Sequence, residues 1–153
     1  MNGPAVIWSS EYVYTVKRDL GTAINLSIKK RTIYMCEMCK NTIEGEYSAG
    51  GPTPTCCGKE MTELTPQTAD AAGEKHVPFI ERKADGVLVK VGKEVAHPMT
   101  PEHYIVFIEI CADGILMRKY LNPGDAPEAF FKTDAKNIVA WELCSLHRYW
   151  KSQ

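Results

Sequence analysis

The sequence has little net charge: 18 lysines and arginines stand against 19 aspartates and glutamates. A general nucleic-acid-binding protein needs a basic excess to displace counterions, so that class is excluded. No apolar run approaches the roughly 20 residues that a membrane helix needs, which predicts no membrane insertion. The first residues, MNGPAVIWSSEYVYTVK, lack the basic start and apolar core of a secretory signal. We therefore expect a cytoplasmic protein, in a compartment where thiols stay reduced.

Histidine is scarce, and the few that occur are separated from most of the cysteines. The four histidines are His76, His97, His103 and His147. Of the six cysteines, four form a cluster and two stand apart: Cys36, Cys39, Cys56 and Cys57, then Cys111 and Cys144. No histidine lies within the cysteine cluster. Because the thiols and the imidazoles are segregated along the chain, the sequence predicts two different sites.

The composition divides the chain into three segments. Residues 1–31 are rich in β-formers but alternate imperfectly, and we interpret them as an N-terminal extension of unknown role. Residues 32–67 are dense in cysteine and glycine, and a unit this short needs a metal or a partner to be stable. Residues 68–153 begin with a polar linker and continue as a series of short strand patterns. Strands with regular turn signals and no long helix predict an all-β protein with a β-sandwich.

Two stretches of the third segment carry the clearest strand signals. DGVLVKVGKEV starts with a turn dipeptide and then places Val87, Val89 and Val91 on one face. HYIVFIEICADGILMRKYL is interpreted as two strands joined by a hairpin at Asp113-Gly114. Alternation in the first of these strands predicts two faces: Tyr104, Val106, Ile108 and Ile110 on one, and Ile105, Phe107 and Cys111 on the other. NIVAWELC is interpreted as the final strand, which ends at Cys144.

The clustered cysteines have metal-ligand spacing. CEMC is followed after sixteen residues by CC, which gives two close pairs of thiols. Four thiolates in two pairs fit a tetrahedral zinc or iron ion. The alternatives are two disulfides or a purely structural zinc clip. Disulfides are disfavoured because adjacent cysteines rarely bridge each other and the cytosol is reducing.

The histidines form a second pattern together with Cys144. Each histidine taken alone is more simply a satisfied core or surface residue. Taken together, all four lie near strand ends or turns of one segment, and Cys144 precedes His147 by three positions. Four imidazoles and one thiolate are too many ligands for tetrahedral zinc. A five-coordinate centre with one open position suits iron that binds a small molecule.

Several motifs together resemble one family from Ile33 to Lys151. They are CEMCK, TCCGKEM, ADAAGEKHVPFIE, VGKEVAHPMTPEHYIVFIEICADG, YLNPGDAPEAFF and ELCSLHRYWK. In combination they are similar to the desulfoferrodoxin family, the two-iron superoxide reductases. The resemblance implies a small desulforedoxin-like metal module followed by an immunoglobulin-like β-sandwich, and a homodimer.

The resemblance also implies roles for particular residues. The tetrathiolate iron would be held by Cys36, Cys39, Cys56 and Cys57. The second iron would be held by His76, His97, His103 and His147 around its equator, with Cys144 as the axial thiolate. Glu74 matches the glutamate that closes the open position in the ferric state, and Lys75 matches the lysine beside the substrate pocket. Ser145, Arg148 and Tyr149 depart from the sequence CNLHGHW that is common in the family.

The activity implied by the resemblance is one-electron reduction of superoxide to hydrogen peroxide by an oxidoreductase. Each chain would carry two iron ions and draw electrons from an external donor, commonly rubredoxin. Superoxide dismutation needs both half-reactions, and the strong thiolate donor and the coupling to an external electron donor argue against it. The alternative of another class is a non-catalytic iron electron-transfer protein or a zinc-binding interaction protein.

Overall fold

The regular structure of the described residues consists of strands joined by turns, in a chain with 11 glycines and 9 prolines. The computed structural model describes the backbone of residues 11–16, 24–48, 50–69 and 75–153, and the side chains of 31–48, 50–69 and 75–153. Contacts divide the chain into two compact units, Met1–Leu64 and Thr65–Gln153. The described ranges contain no helix that could cross a membrane. The predicted all-β class is confirmed, whereas the segment boundaries after residues 31 and 67 stay predictions.

The first unit is built around one long strand. Its strands are β1 (Glu11–Val16), β2 (Ile24–Met35), β3 (Thr42–Ser48), β4 (Thr55–Cys56), β5 (Lys59–Glu60) and β6 (Thr62–Glu63). Strand β2 pairs antiparallel with β1, β3 and β6, and β4 pairs with β5. The buried apolar side chains described here are few: Ile33, Met35, Cys36, Met61 and Leu64. Among the side chains described in this unit, so small a core contributes limited stability, and a bound metal would add to it.

The second unit is a two-layer sandwich. Its strands are β7 (Pro78–Lys83), β8 (Gly86–Val91), β9 (Ile105–Ala112), β10 (Ile115–Tyr120), β11 (Glu128–Lys132), β12 (Ile138–Cys144) and β13 (Arg148–Lys151). One sheet has the order β10-β9-β12-β13 and the other β11-β8-β7. The predicted inward face of β8 is confirmed, because Val87, Val89 and Val91 are all buried. They pack in one cluster with side chains of the opposite sheet, among them Ile108 and Ile110.

The hairpin predicted at Asp113-Gly114 is confirmed. Ala112 pairs with Ile115, and the two loop residues have φ angles of 46° and 91°. Two positive φ angles match the right-handed twist of the flanking strands, and this is why the Asp-Gly dipeptide suits the loop. The Asp113 carboxylate accepts hydrogen bonds from the backbone N–H groups of Asn137 and Lys136, both at 3.1 Å. These bonds hold the pKa of Asp113 below its usual value.

The register of β9 shifts close to its start, and one predicted face is wrong for that reason. Phe107 pairs with Leu143, but the next residue of β12, Cys144, pairs with Ile105. Val106 is therefore an extra residue, as in a β-bulge. The bulge turns Ile105 into the core cluster together with Ile108 and Ile110, instead of onto the opposite face.

A buried carboxylate ties β13 to the centre of its sheet. Glu109 on β9 is fully buried and accepts hydrogen bonds from Arg118 Nε at 2.7 Å and from the Tyr149 hydroxyl at 2.8 Å. The guanidinium neutralises the carboxylate, so its burial is tolerated. Tyr149 comes two residues after His147, and this contact therefore anchors the strand that follows the last histidine.

Candidate metal centres

Two turns bring the four clustered cysteines together. Cys36 follows β2, and its carbonyl accepts a hydrogen bond from Lys40 N–H at 2.9 Å, which folds Cys39 back toward it. The second turn joins β4 to β5, and its central residues Cys57 and Gly58 have φ angles of 52° and 74°. A two-residue hairpin with two positive φ angles places the sulfurs of adjacent cysteines side by side.

The resulting group has the dimensions of a tetrathiolate site. All four sulfurs lie within 4.8 Å of one another, with Cys39 Sγ 3.6 Å from Cys56 Sγ, which is 3.9 Å from Cys57 Sγ. Four sulfurs placed tetrahedrally at the usual distance of about 2.3 Å from zinc lie about 3.8 Å apart. All six cysteine thiols of the chain are free of disulfide bonds. The four clustered cysteines are therefore arranged as ligands.

The thiols of this group do not ionise equally. The pKa of Cys36 is lowered to about 7, chiefly because the backbone N–H of Cys39 donates to its sulfur. The pKa of Cys57 is raised to about 12, first through its hydrogen bond with the Cys39 thiol and then through the one with Cys56. One thiolate therefore forms readily while another resists ionisation. Four thiolates at neutral pH require a cation among them.

The second group draws its donors from four separate stretches. His76 precedes β7, His97 and His103 lie in the loop between β8 and β9, Cys144 ends β12, and His147 precedes β13. Their five donor atoms lie within 4.8 Å of one another. The sandwich has thus brought together the residues that the sequence pattern singled out.

The four imidazoles are arranged nearly as a square. Ring centroids around the perimeter, in the order His76, His97, His103, His147, are 4.5 to 4.8 Å apart, and each neighbouring pair is close to perpendicular. The diagonal from His76 to His103 measures 6.3 Å. This ratio of diagonal to side is near that of a square, so the rings surround a common centre.

The sulfur of Cys144 lies close to the ring nitrogens of that square. Its Sγ is 3.6 Å from His97 Nε2 and 3.8 Å from His147 Nδ1, and these two nitrogens belong to diagonally opposite rings. The sulfur is thus nearly equidistant from these two rings, and it lies within 4.8 Å of the donor nitrogens of the other two. Among residues 31–48, 50–69 and 75–153, the group contains no sixth His, Cys, Asp or Glu donor.

The spacing of the nitrogens fits a bound metal better than a hydrogen-bond network. His76 Nε2 is 3.1 Å from His97 Nε2 and 2.9 Å from His147 Nδ1. Nitrogens at right angles, each about 2.1 Å from an ion, lie about 3.0 Å apart. His103 Nε2 is buried without a hydrogen-bond partner among the described atoms. An ion at the centre would satisfy these converging lone pairs together.

Neighbouring groups fix how the rings are oriented. His97 Nδ1 lies 2.6 Å from the carbonyl of Pro98, so Nδ1 carries the proton and Nε2 presents its lone pair inward. Trp150 stacks on His76 with centroids 4.7 Å apart. Its indole N–H and the Gln67 side-chain amide both donate to the carbonyl of His147, at 2.9 and 3.0 Å.

Burial favours the neutral form of two of the imidazoles, and a metal ligand must be neutral. The pKa of His97 is lowered to about 4, first because the ring is buried and then because its neighbours are imidazoles. Burial also lowers the pKa of His103, with a smaller contribution from His147. Neutral rings at pH 7 can ligate without first losing a proton.

Of the two remaining predicted site residues, Lys75 alone lies within the part of the chain that the structure describes. Lys75 is half-buried and lines a cavity of about 570 Å³ together with Phe79, Lys93 and Glu94. Glu74 lies outside the described residues. Sequence reasoning did not identify Pro98 or Gln67 as orienting groups, because a backbone carbonyl and a single amide eighty residues away leave no local pattern.

Comparisons with known proteins agree on one family. The Desulfoferrodoxin family model matches residues 68–153. The desulfoferrodoxin of Nitratidesulfovibrio vulgaris is 48% identical over 121 residues, which cover 79% of this chain and 94% of that protein. The desulfoferrodoxin of Syntrophotalea carbinolica is 46% identical over 125 residues, covering 82% of this chain and 98% of that protein.

A solved structure gives the same result. The crystal structure of the superoxide reductase from Treponema pallidum superposes with a TM-score of 0.65 at 30% sequence identity. The match covers 81% of this chain and 98% of that one. The matched 81% of this chain is longer than residues 65–153, so the likeness extends beyond the sandwich.

Proposed function

Because the chain belongs to the desulfoferrodoxin family, we propose that it is a superoxide reductase, an oxidoreductase that converts superoxide to hydrogen peroxide. Its two donor groups fit two iron sites. The likeness to the Treponema pallidum superoxide reductase supports the assignment over most of the chain.

One observation carries this proposal: a near-square of four imidazoles with a cysteine sulfur within 4.8 Å of every donor nitrogen. His76, His97, His103, His147 and Cys144 are the residues that would hold the iron. A ferrous ion bound by these residues would supply the one electron that superoxide must gain, and two protons from the surroundings would complete hydrogen peroxide. Four neutral imidazoles and one thiolate leave a divalent site with a net positive charge, which favours an anionic substrate.

The two residues that precede His76 in the sequence have proposed roles toward that substrate. Lys75, which directly precedes His76, adds positive charge on the approach and can orient a water that supplies a proton. Glu74 is proposed to close the open position in the oxidised protein. Support for both roles comes from the sequence EKHVP and the family resemblance.

The first unit has a proposed site of its own, in which Cys36, Cys39, Cys56 and Cys57 hold the tetrathiolate iron. We further propose that electrons come from an external protein donor such as rubredoxin, that the protein is a homodimer and that it acts in the cytoplasm. The family resemblance is the support for these three proposals.

Metal analysis combined with product analysis tests the proposed function. We expect two irons per chain, a coloured oxidised protein, and peroxide formation without dioxygen when the reduced protein meets superoxide. Dioxygen released together with peroxide would identify a dismutase instead. A colourless protein with two zinc ions would identify a non-catalytic binding protein and end the proposal.

A further inference from the structure

The end of the ladder between β9 and β12 is completed by a side chain. Cys144 and Ile105 are the last paired residues of these strands. One step further, Ser145 N–H donates to the carbonyl of Tyr104 at 2.9 Å. In return, Tyr104 N–H donates to the hydroxyl oxygen of Ser145 at 3.1 Å.

The hydroxyl replaces the acceptor that a continuing strand would provide. In an antiparallel ladder two paired residues exchange both backbone bonds. Residues 145–147 form a turn, so the chain leaves the ladder at Ser145. The side-chain oxygen takes the place of the Ser145 carbonyl, and the Tyr104 N–H keeps an acceptor.

The pair of hydrogen bonds between Tyr104 and Ser145, called the rung below, adjoins two proposed metal ligands. Tyr104 directly follows His103, and Ser145 directly follows Cys144. The two hydrogen bonds therefore fix the distance between the backbone that carries an equatorial imidazole and the backbone that carries the axial sulfur. They do so just beyond the bulge at Val106, where the regular register is interrupted.

We infer that Ser145 is a positioning residue of the five-donor centre, acting through its hydroxyl bond to Tyr104 N–H. This inference rests on the proposed metal site and adds a specific residue to it. Without the hydroxyl, the rung keeps one hydrogen bond instead of two, and the sulfur and the His103 ring lose a shared restraint. Groups that hold ligands in this way typically affect metal affinity by about 10- to 100-fold.

The chain contains a matched control for this motif. At the end of β13, Ser152 N–H donates to the carbonyl of Ala140 at 2.8 Å, and Ala140 N–H donates to the Ser152 hydroxyl at 3.1 Å. The bonding pattern is the same, yet neither residue adjoins one of the five donors. Ser152→Ala thus removes an equivalent bond away from the centre.

The experiment compares Ser145→Ala, Ser145→Thr and Ser152→Ala in the full-length iron-loaded protein. The readouts are the rate at which a chelator extracts iron and the ferric absorption band that disappears in Cys144→Ser. We expect Ser145→Ala to lose iron from this centre at least about tenfold faster and to shift the band. Ser145→Thr, which keeps a hydroxyl, should resemble the wild type, as should Ser152→Ala.

Different failures have different meanings. The proposed function itself fails if the wild-type protein shows no ferric absorption band that depends on Cys144. The inference about Ser145 is overturned if the wild type shows this band but Ser145→Ala and Ser152→Ala lose iron at the same rate. Amide exchange in the wild type tests the same bond without a variant: protection of Tyr104 N–H comparable to Ala140 N–H is expected, and free exchange at Tyr104 contradicts the rung.

Discussion

At the scale of single residues, the buried imidazoles make the metal-free protein sensitive to acid. The pKa of His97 is about 4 when folded, against 6.5 for an unperturbed imidazole. Between these values the unfolded chain binds a proton that the folded His97 does not, so stability falls as the pH falls. The pKa of His103 is lowered too and acts in the same direction.

We expect metal-free protein to lose about 2 kcal/mol of unfolding free energy between pH 6.5 and pH 5 through His97. Urea unfolding at several pH values measures this loss. His97→Gln should flatten the profile, because glutamine does not titrate. The carboxylates with lowered pKa values, Asp113 and Glu81, lose their contributions mainly at lower pH. An identical slope in His97→Gln and wild type would contradict the assignment.

The charge of Lys75 leads to a kinetic prediction. Lys75→Ala should slow superoxide reduction by about three- to tenfold at low ionic strength while iron stays bound, because a cation beside the site attracts the anion. The difference should shrink near 0.1 M salt, where charges about 10 Å apart are screened. Pulse radiolysis at several salt concentrations measures both effects.

Lys119→Ala is the control, since it makes the same change in net charge on the exposed edge strand β10. An equal slowing by both variants would mean that total charge, and not the position of Lys75, governs the rate.

The donor residues were recognisable in the sequence, but their supports were not. All nine predicted ligands lie in the two groups that the structure assembles, because cysteine and histidine are scarce and patterned. Pro98 acts through its carbonyl, and Ser145, which the sequence marks only as a departure from the family pattern, acts through a bond to Tyr104. Contacts of this kind depend on the folded backbone, so residue identity alone carries no signal for them.

At the scale of elements, the exit from β8 controls where His97 lies. Gly92 follows β8 with φ of 89°, and a Cβ built there would lie 2.2 Å from the carbonyl oxygen of Val95 and 2.8 Å from His97 N. His97 N–H in turn donates to the carbonyl of Val91 at 3.1 Å. Only glycine allows this loop to close so tightly.

Gly92→Ala should therefore lower the unfolding free energy by at least about 2 kcal/mol and weaken iron retention at the five-donor centre. Gly86→Ala is the matched control at the other end of β8, where a Cβ would lie 2.2 Å from the carbonyl oxygen of Phe131. It should destabilise the sandwich while iron retention is preserved. Denaturant unfolding and chelator extraction measure the two effects, and equal iron loss in both variants would count against the role of Gly92.

Strands could be predicted from the sequence where apolar and polar residues alternate regularly, and the prediction failed where a bulge interrupts the alternation. The three valines of β8 and the Asp113-Gly114 turn follow local rules, and both predictions are confirmed. The bulge at Val106 depends on pairing with a strand more than thirty residues away, so the face of Ile105 was assigned wrongly. Strand β13 was not predicted, since four residues after a turn are too few to show a period.

At the scale of the whole molecule, the two donor groups belong to different compact units. The thiolate group lies in Met1–Leu64, and the five-donor group lies in Thr65–Gln153. Each group is complete within its own unit. We therefore expect each site to retain its metal when the other is disabled.

Cys39→Ser should remove about one iron per chain and leave the Cys144-dependent band and the reduction of superoxide by the pre-reduced protein unchanged. Iron analysis and visible spectra measure the loss. Cys111→Ser is the control, because this cysteine belongs to neither group, and it should retain both irons. Loss of both irons in Cys39→Ser would show that the sites depend on each other.

The donors of the two groups occupy different parts of the chain: the thiolate group spans residues 36–57 and the five-donor group spans residues 76–147. This difference sets the order in which the two groups are completed during synthesis. The thiolate group is complete once residue 57 has been added, whereas the imidazole group needs residue 147, ninety residues later. Translation at roughly 5–20 residues per second separates these events by about 5–20 s. A nascent chain on the ribosome therefore contains all four clustered cysteines before the last donor of the second group has been added. We therefore expect the two centres to become able to take up iron at different stages of synthesis.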